Sequence, residues 1–275
     1  MSTQRDLRLA DGRTLRVHDG GAAARDAVTI VWHHGTPQTG ALLAPLLAAA
    51  ERRGIRLLSY ARPSYGGSTP QPGRTVGSAA ADVAELVDAL GVARFAVMGG
   101  SGGGPHALAC AALLGDRVTG AVSLSGPAPY TTDFDWFAGM VAPGGLRAAL
   151  AGREARARHA ETAEFDERSF TQADWDALAG TWSALGDDAM RAGTAGSDGQ
   201  IDDDIAFVTP WGFDPGAITV PVLLAQGGED RVIPPSHAEW LLRRCPRAEL
   251  WLRPRDGHVS ILDACPVAMD WLVGF

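Results

Sequence analysis

Phe95-Ala96-Val97-Met98-Gly99-Gly100-Ser101-Gly102-Gly103-Gly104-Pro105-His106-Ala107-Leu108 is the stretch on which the fold turns. Four apolar residues predict a strand buried on both faces. Gly99 to Gly104 predicts a tight turn, and Pro105 to Leu114 predicts an Ala-rich helix. Gly99-Gly100-Ser101-Gly102-Gly103 therefore places a G-x-S-x-G pattern between a strand and a helix. Such an elbow holds its serine in a left-handed backbone conformation, and the positions two before and two after must be small. Both are glycine here. The turn would lift the Ser101 hydroxyl out of the sheet and set the Gly102 N–H at a helix N-terminus, where a developing negative charge is favoured.

Working outward, strand and helix patterns alternate. Leu7 to Leu9 and Thr14 to Val17 flank an Asp11-Gly12 turn and predict a hairpin. Strands are expected at Val28–Trp32, Ile55–Tyr60, Val118–Leu124, Val220–Ala225 and Glu249–Leu252. Helices are expected at Ala41–Arg53, Ser78–Leu90, Pro235–Arg244 and Val259–Leu272. This order implies an α/β fold: a mostly parallel sheet covered by helices on both faces, with antiparallel strands at one edge. From Pro127 to Asp214 no strand pattern occurs, only helical fragments. The chain thus divides into a core, 1–126 and 215–275, and a helical cap, 127–214, inserted after the fourth parallel strand. The cap is expected over the carboxyl ends of the strands, where open α/β sheets bind ligands.

Composition excludes other classes. The 275 residues carry a net charge of −8, which argues against a nucleic-acid binder driven by bulk charge. The cap segment holds 16 Asp and Glu against 6 Arg, so the surplus sits there. All 24 basic residues are Arg, so no Schiff-base, P-loop or Ser-Lys chemistry is available from a lysine side chain. Cys110, Cys245 and Cys265 fit no metal or redox spacing and read as buried free thiols. The first residues lack a signal-peptide pattern, and the longest apolar run, Ala41 to Ala50, is too short for a membrane span. A cytoplasmic protein is expected.

A serine hydroxyl needs a base, and on this architecture the chain order is serine, acid, histidine. Of the later histidines, His258 lies in the loop after the last strand, at the active edge. His106 and His237 read as structural, and His159 as exposed in the insert. The strand ending at Ala225 leads into Gln226-Gly227-Gly228-Glu229-Asp230, so Asp230 is the expected acid, with Glu229 its rival. Asp256 and Asp263 read as surface or capping groups. Gly102 offers one oxyanion donor. The loop His34-Gly35-Thr36-Pro37 offers the other, assigned to the Thr36 N–H, with Gly35 beside the substrate and His34 a loop brace. His33-His34 is not a metal pair, because adjacent strand residues point apart. Gly102-Gly103-Gly104-Pro105-His106-Ala107 also matches a dinucleotide pattern. It follows two earlier strand–helix units, and the next strand ends without an acid, which rules against that reading.

Among the aromatics, Trp136 and Phe137 are expected to line the substrate pocket, and Trp175 and Trp182 to form the insert's own core. Asp202-Asp203-Asp204 reads as a solvated acidic face.

His34-Gly35-Thr36-Pro37, Arg62-Pro63-Ser64-Tyr65-Gly66-Gly67-Ser68, the elbow, Gly228-Glu229-Asp230-Arg231-Val232 and Gly257-His258 stand in one order across nearly the whole chain. In this the sequence resembles the α/β-hydrolase superfamily, in its capped branch. The resemblance implies a Ser101–Asp230–His258 triad, no cofactor and no metal. Serine at the elbow separates it from epoxide hydrolases and haloalkane dehalogenases, which carry Asp there. The family loop often begins Asp-Arg-Pro-Gly; here Ala61 stands in place of the acid, which implies altered loop bracing without an effect on catalysis. The expected activity is hydrolysis of a small, fairly apolar ester, lactone or thioester. The alternatives are a lyase, cyclase or acyltransferase on the same fold, or a non-catalytic binder. The partner is a small molecule, with the acidic cap expected to disfavour anions such as acyl-CoA.

Overall fold

The computed structural model describes residues 2–22 and 27–275; Met1 and residues 23–26, within the expected core segment, lie outside the described residues. Eight strands form one sheet: β1 (Thr3–Arg8), β2 (Thr14–Gly21), β3 (Thr29–His33), β4 (Arg56–Tyr60), β5 (Phe95–Gly100), β6 (Val118–Leu124), β7 (Val222–Gly227) and β8 (Ala248–Arg253). Their order is β1-β2-β4-β3-β5-β6-β7-β8. β1–β2 and β2–β4 pair antiparallel, and every other pair is parallel. The antiparallel edge is the expected hairpin, closed at Gly12, whose φ of 88° suits glycine.

Every residue of β3, β5 and β7 is buried, which is why these strands read as continuous apolar runs. One side of the sheet packs α2 (Ser78–Ala89), α3 (Gly103–Leu113) and α9 (Pro235–Arg244) around Val31, Leu86, Phe95, Val97 and Leu241. The other packs α1 (Ala44–Arg52) and α10 (Cys265–Val273) around Ile30, Leu46, Met98, Val122 and Met269. Each such fully buried side chain contributes about 1.5–3 kcal/mol. α3 sits against the sheet centre with residues 103–111 all buried, so it shows no polar stripe.

Element bounds depart from expectation where the ends are irregular. The last helix is split: a 3-10 turn covers Ser260–Ala264, and α10 begins at Cys265 with Pro266 in its first turn. Proline lacks an N–H and its fixed φ suits a helix start, so it restarts the helix rather than continuing one.

Between β6 and β7, among the described residues, there are helices and no strand: α4 (Gly144–Leu150), α5 (Arg153–Thr162), α6 (Gln172–Ala179), α7 (Ser183–Thr194) and α8 (Asp198–Val208). The segment follows β6, the fourth parallel strand in chain order.

Candidate active site

The elbow is built as its sequence demands. Ser101 has φ 51°, in the left-handed region, between β5 and α3. A side chain at Gly99 would collide with the Gly103 carbonyl, and one at Gly103 with the His33 carbonyl. Only glycine at both ends lets strand, turn and helix fold this closely. The Ser101 N–H donates to the Leu124 carbonyl (2.8 Å), and the Ser101 carbonyl accepts from the Gly104 N–H (2.9 Å).

His258 is delivered by the loop after β8. Its Nε2 lies 2.9 Å from Ser101 Oγ, and its Nδ1 lies 2.8 Å from Asp230 Oδ2. A carboxylate only accepts, so Nδ1–H donates to Asp230 and leaves Nε2 bare toward the serine hydroxyl. Asp230 is buried, and its other oxygen accepts from the Val232 and Ile233 N–H groups at 2.9 Å each. Glu229 is exposed, which decides between the two neighbours. Burial works against a charged His258; the charge and hydrogen bond of Asp230, helped by Asp174, outweigh it and raise its pKa above the ordinary imidazole value.

His237, His106 and His34 are held by backbone contacts away from Ser101. His237 Nδ1 accepts from the Ala128 N–H and Nε2–H donates to the Trp136 carbonyl; burial lowers its pKa to about 4. His106 is buried with Nδ1 at 2.7 Å from the Gly102 carbonyl. His34 braces its loop as expected, its Nε2 accepting from the Arg62 N–H. His159 is a correction: it is half-buried and lines the cavity rather than standing exposed.

Ser101 and His258 open into a cavity of about 1490 Å³. That is larger than the usual ligand pocket of roughly 300–1,000 Å³. Gly35, Thr36 and Gly102 line it near the serine, and Leu43, Trp182, Leu185, Phe207 and Leu262 add apolar wall. Outward it is edged by Phe165, Trp175 and Met190, all exposed.

Here the expected aromatic assignment is reversed. Trp136 and Phe137 do not line the cavity. They pack with Ala149 and Val208 into a small core, with the Trp136 ring edge-on to His237 and its N–H on the Ala128 carbonyl. Trp175 and Trp182, expected in the insert's interior, line the cavity instead. Trp182 Nε1–H also donates to Asp263 Oδ1 (2.8 Å), so one ring both seals and lines. The spacing of aromatics in a sequence does not say which ring face meets a void.

The aspartates 202–204 are likewise not a solvated face: all three are buried. Asp203 meets Arg62 and Arg74, Asp204 meets Arg156, and Asp202 meets Arg153. Burial raises the Asp204 pKa to about 6 against the pull of Arg156.

Two further insert aspartates reach core loops, and neither was singled out in the sequence. Asp174 Oδ1 accepts from the Val259 and Ser260 N–H groups at 2.8 Å each, directly after His258. Its other oxygen takes Thr171 N–H in a capping box. Thr171 and Asp174 at capping-box spacing were the available signal for the helix start; nothing in the sequence marked the second role. Asp188 accepts from the Thr39 N–H (2.9 Å) and hydroxyl (2.7 Å), just past the loop His34-Gly35-Thr36-Pro37.

Among the described residues no group of three His, Cys, Asp or Glu is placed to hold a metal ion, and no helix is long and apolar enough to cross a membrane.

Comparison with known proteins agrees with this architecture. Residues 28–264 match the model of the alpha/beta hydrolase fold family. A protein of Caulobacter sp. (strain K31), named as a candidate carbamate hydrolase, RutD, is 28% identical over 255 residues, covering 90% of this chain and 89% of its own. A hydrolase from Pseudomonas aeruginosa PA01 superposes with a TM-score of 0.76 at 22% identity, over 99% of both chains. The enol-lactonase from Burkholderia xenovorans LB400 gives 0.74 at 21% identity, over 98% of this chain and 100% of its own.

Proposed function

The chain belongs to the alpha/beta hydrolase fold family, and from that premise we propose that it is a cofactor-free serine hydrolase cleaving apolar carboxylic esters, lactones or thioesters through an acyl-enzyme. The observation that carries this reading is the unbroken line from Ser101 Oγ through the His258 ring to Asp230, with steps of 2.9 and 2.8 Å.

In this mechanism the Ser101 oxygen attacks the substrate carbonyl carbon while its proton passes to His258 Nε2. Asp230 holds the ring and stabilises the imidazolium. The Gly102 and Thr36 N–H groups take the oxyanion, each worth about 3 kcal/mol of barrier. The tetrahedral intermediate collapses, the leaving group departs with the proton from His258, and water activated by the same imidazole releases the acid. Residues 127–214 act as the cap that shapes the acyl side. Trp182, Leu185, Phe207 and Leu262 support an apolar acyl group, and the cavity's volume supports one bulkier than the small substrate expected from sequence. The three cysteines are buried and free, which suits the cytoplasm as the proposed location.

The relative named for carbamate hydrolysis favours one variation, attack on a carbamate carbonyl by the same groups. A chromogenic panel of acyl esters of rising length and a matched carbamate, run on wild type and Ser101→Ala, tests both. Acyl-ester turnover lost in the variant is expected. Equal turnover by the two proteins would remove Ser101 from the chemistry, and a preference for the carbamate would move the substrate class.

A further inference from the structure

Arg62 is 1% exposed and Asp203 is fully buried. A buried guanidinium without a counter-charge is costly, and the residue before it, Ala61, carries none. The carboxylate comes instead from α8 of the insert: Asp203 accepts from Arg62 Nη2 (2.7 Å), Arg62 Nε (3.2 Å), Tyr65 Oη (2.9 Å) and Arg74 Nη2 (2.7 Å). His106 Nε2 stands 4.0 Å from its Oδ1, and one further contact is the telling one. The Thr36 hydroxyl donates to Asp203 Oδ2 at 2.5 Å, and Arg62 Nη2 donates to that hydroxyl at 3.0 Å.

These bonds set the direction of an N–H. In a planar trans peptide the carbonyl and the N–H point opposite ways. The Gly35 carbonyl accepts from Arg62 Nη2 (3.1 Å) and lies 2.7 Å from His34 Nδ1, on the buried side. The same peptide unit carries the Thr36 N–H, which is thereby turned away from Arg62. On the elbow, Gly104 N–H holds the Ser101 carbonyl, and this turns the Gly102 N–H in the same manner. The two residues touch: a side chain at Gly102 would collide with Thr36 Oγ1.

We propose that Asp203 is the positioning residue of the oxyanion hole. It fixes Thr36 and the Arg62 clamp so that the Thr36 N–H meets the oxyanion. This rests on the serine-hydrolase reading above and adds that the insert supplies part of that machinery. Asp203 does not line the cavity.

The test is the affinity for an aryl trifluoromethyl ketone, set against that of the matched carboxylic acid product. The ketone carbon bonds to Ser101 Oγ, the hydroxyl proton passes to His258, and the carbonyl oxygen becomes an oxyanion. The planar product makes no such demand. Asp203→Asn is expected to weaken the ketone about tenfold to hundredfold and to lower kcat in proportion, with KM and product affinity within about threefold of wild type; losing one such donor outright costs about 10²–10³ in kcat. Thr36→Val, which removes only the hydroxyl, is expected to reproduce the effect, and the double variant to add little to either. Wild-type ketone affinity in Asp203→Asn would overturn the proposal. If that variant does not fold, unchanged ketone affinity in Thr36→Val overturns it equally. A wild-type protein that neither cleaves esters nor binds the ketone would instead bring down the serine-hydrolase reading, and this inference with it.

Discussion

The core and the insert contribute to one site in different currencies. The core supplies the groups that would react: Ser101 at the end of β5, Asp230 after β7 and His258 after β8. The insert places carboxylates behind the core's loops: Asp174 under the amides after His258, Asp188 on Thr39, Asp203 on Thr36 and Arg62. Reactive groups must stand at strand ends, where a rigid sheet aims them. Loops that carry them have backbone N–H groups without strand partners, and a carboxylate accepts several at once. The acidic surplus of the insert is thus partly internal structure.

The sharpest break in this comparison is at the core's proposed nucleophile and base. Ser101→Ala and His258→Ala are each expected to reduce kcat by about 10⁶, measured on a chromogenic ester. Asp230→Asn leaves the ring in place but favours the wrong tautomer, and should cost about 10⁴ in kcat. The insert then enters through pH. In the proposed mechanism His258 must be neutral to accept the serine proton, and its pKa is raised, so kcat/KM should climb with pH through a value above the ordinary imidazole range and flatten on the alkaline side. Asp174→Asn removes one of the charges that raise it, so the acid limb of the profile should move to lower pH, with a fall of about tenfold or less in the plateau. An unmoved limb would reduce Asp174 to a loop brace. The smallest catalytic effect separates the two kinds of insert tryptophan. Trp136→Ala and Trp182→Ala should each cost about 3–5 kcal/mol in stability by denaturant unfolding. Only Trp182→Ala should also change the ranking of acyl chain lengths, because only that ring lines the cavity.

The fold was legible because β3, β5 and β7 are buried on both faces and therefore read as apolar runs. The elbow was legible because close packing at Gly99 and Gly103 leaves no choice of residue. The three groups at 101, 230 and 258 follow from chain order and strand ends, and the geometry brings them together. Asp230 over Glu229 depended on which of two neighbours turns inward, a matter of one peptide's direction. What the sequence did not disclose lies in the insert. Trp175 on α6 and Asp202, Asp203 and Asp204 on α8 stand on helices of weak periodicity, and Trp182 stands just before α7, so neither the cavity face of the two rings nor the inward aim of the three carboxylates could be read from spacing. Buried ion pairs look like surface charge when the partners, such as Arg62 and Asp203, are 141 positions apart.

Gly257 lies hard against the Asp174 carboxylate, where any side chain would collide with it. Recombination between homologous genes is therefore constrained at this point. A chimera that joined this sheet to a foreign helical segment at residues 127 and 214 would need a short acidic residue at the spot Asp174 occupies. With a bulkier one, the turn bearing the imidazole would be displaced, although every reacting side chain had been inherited intact.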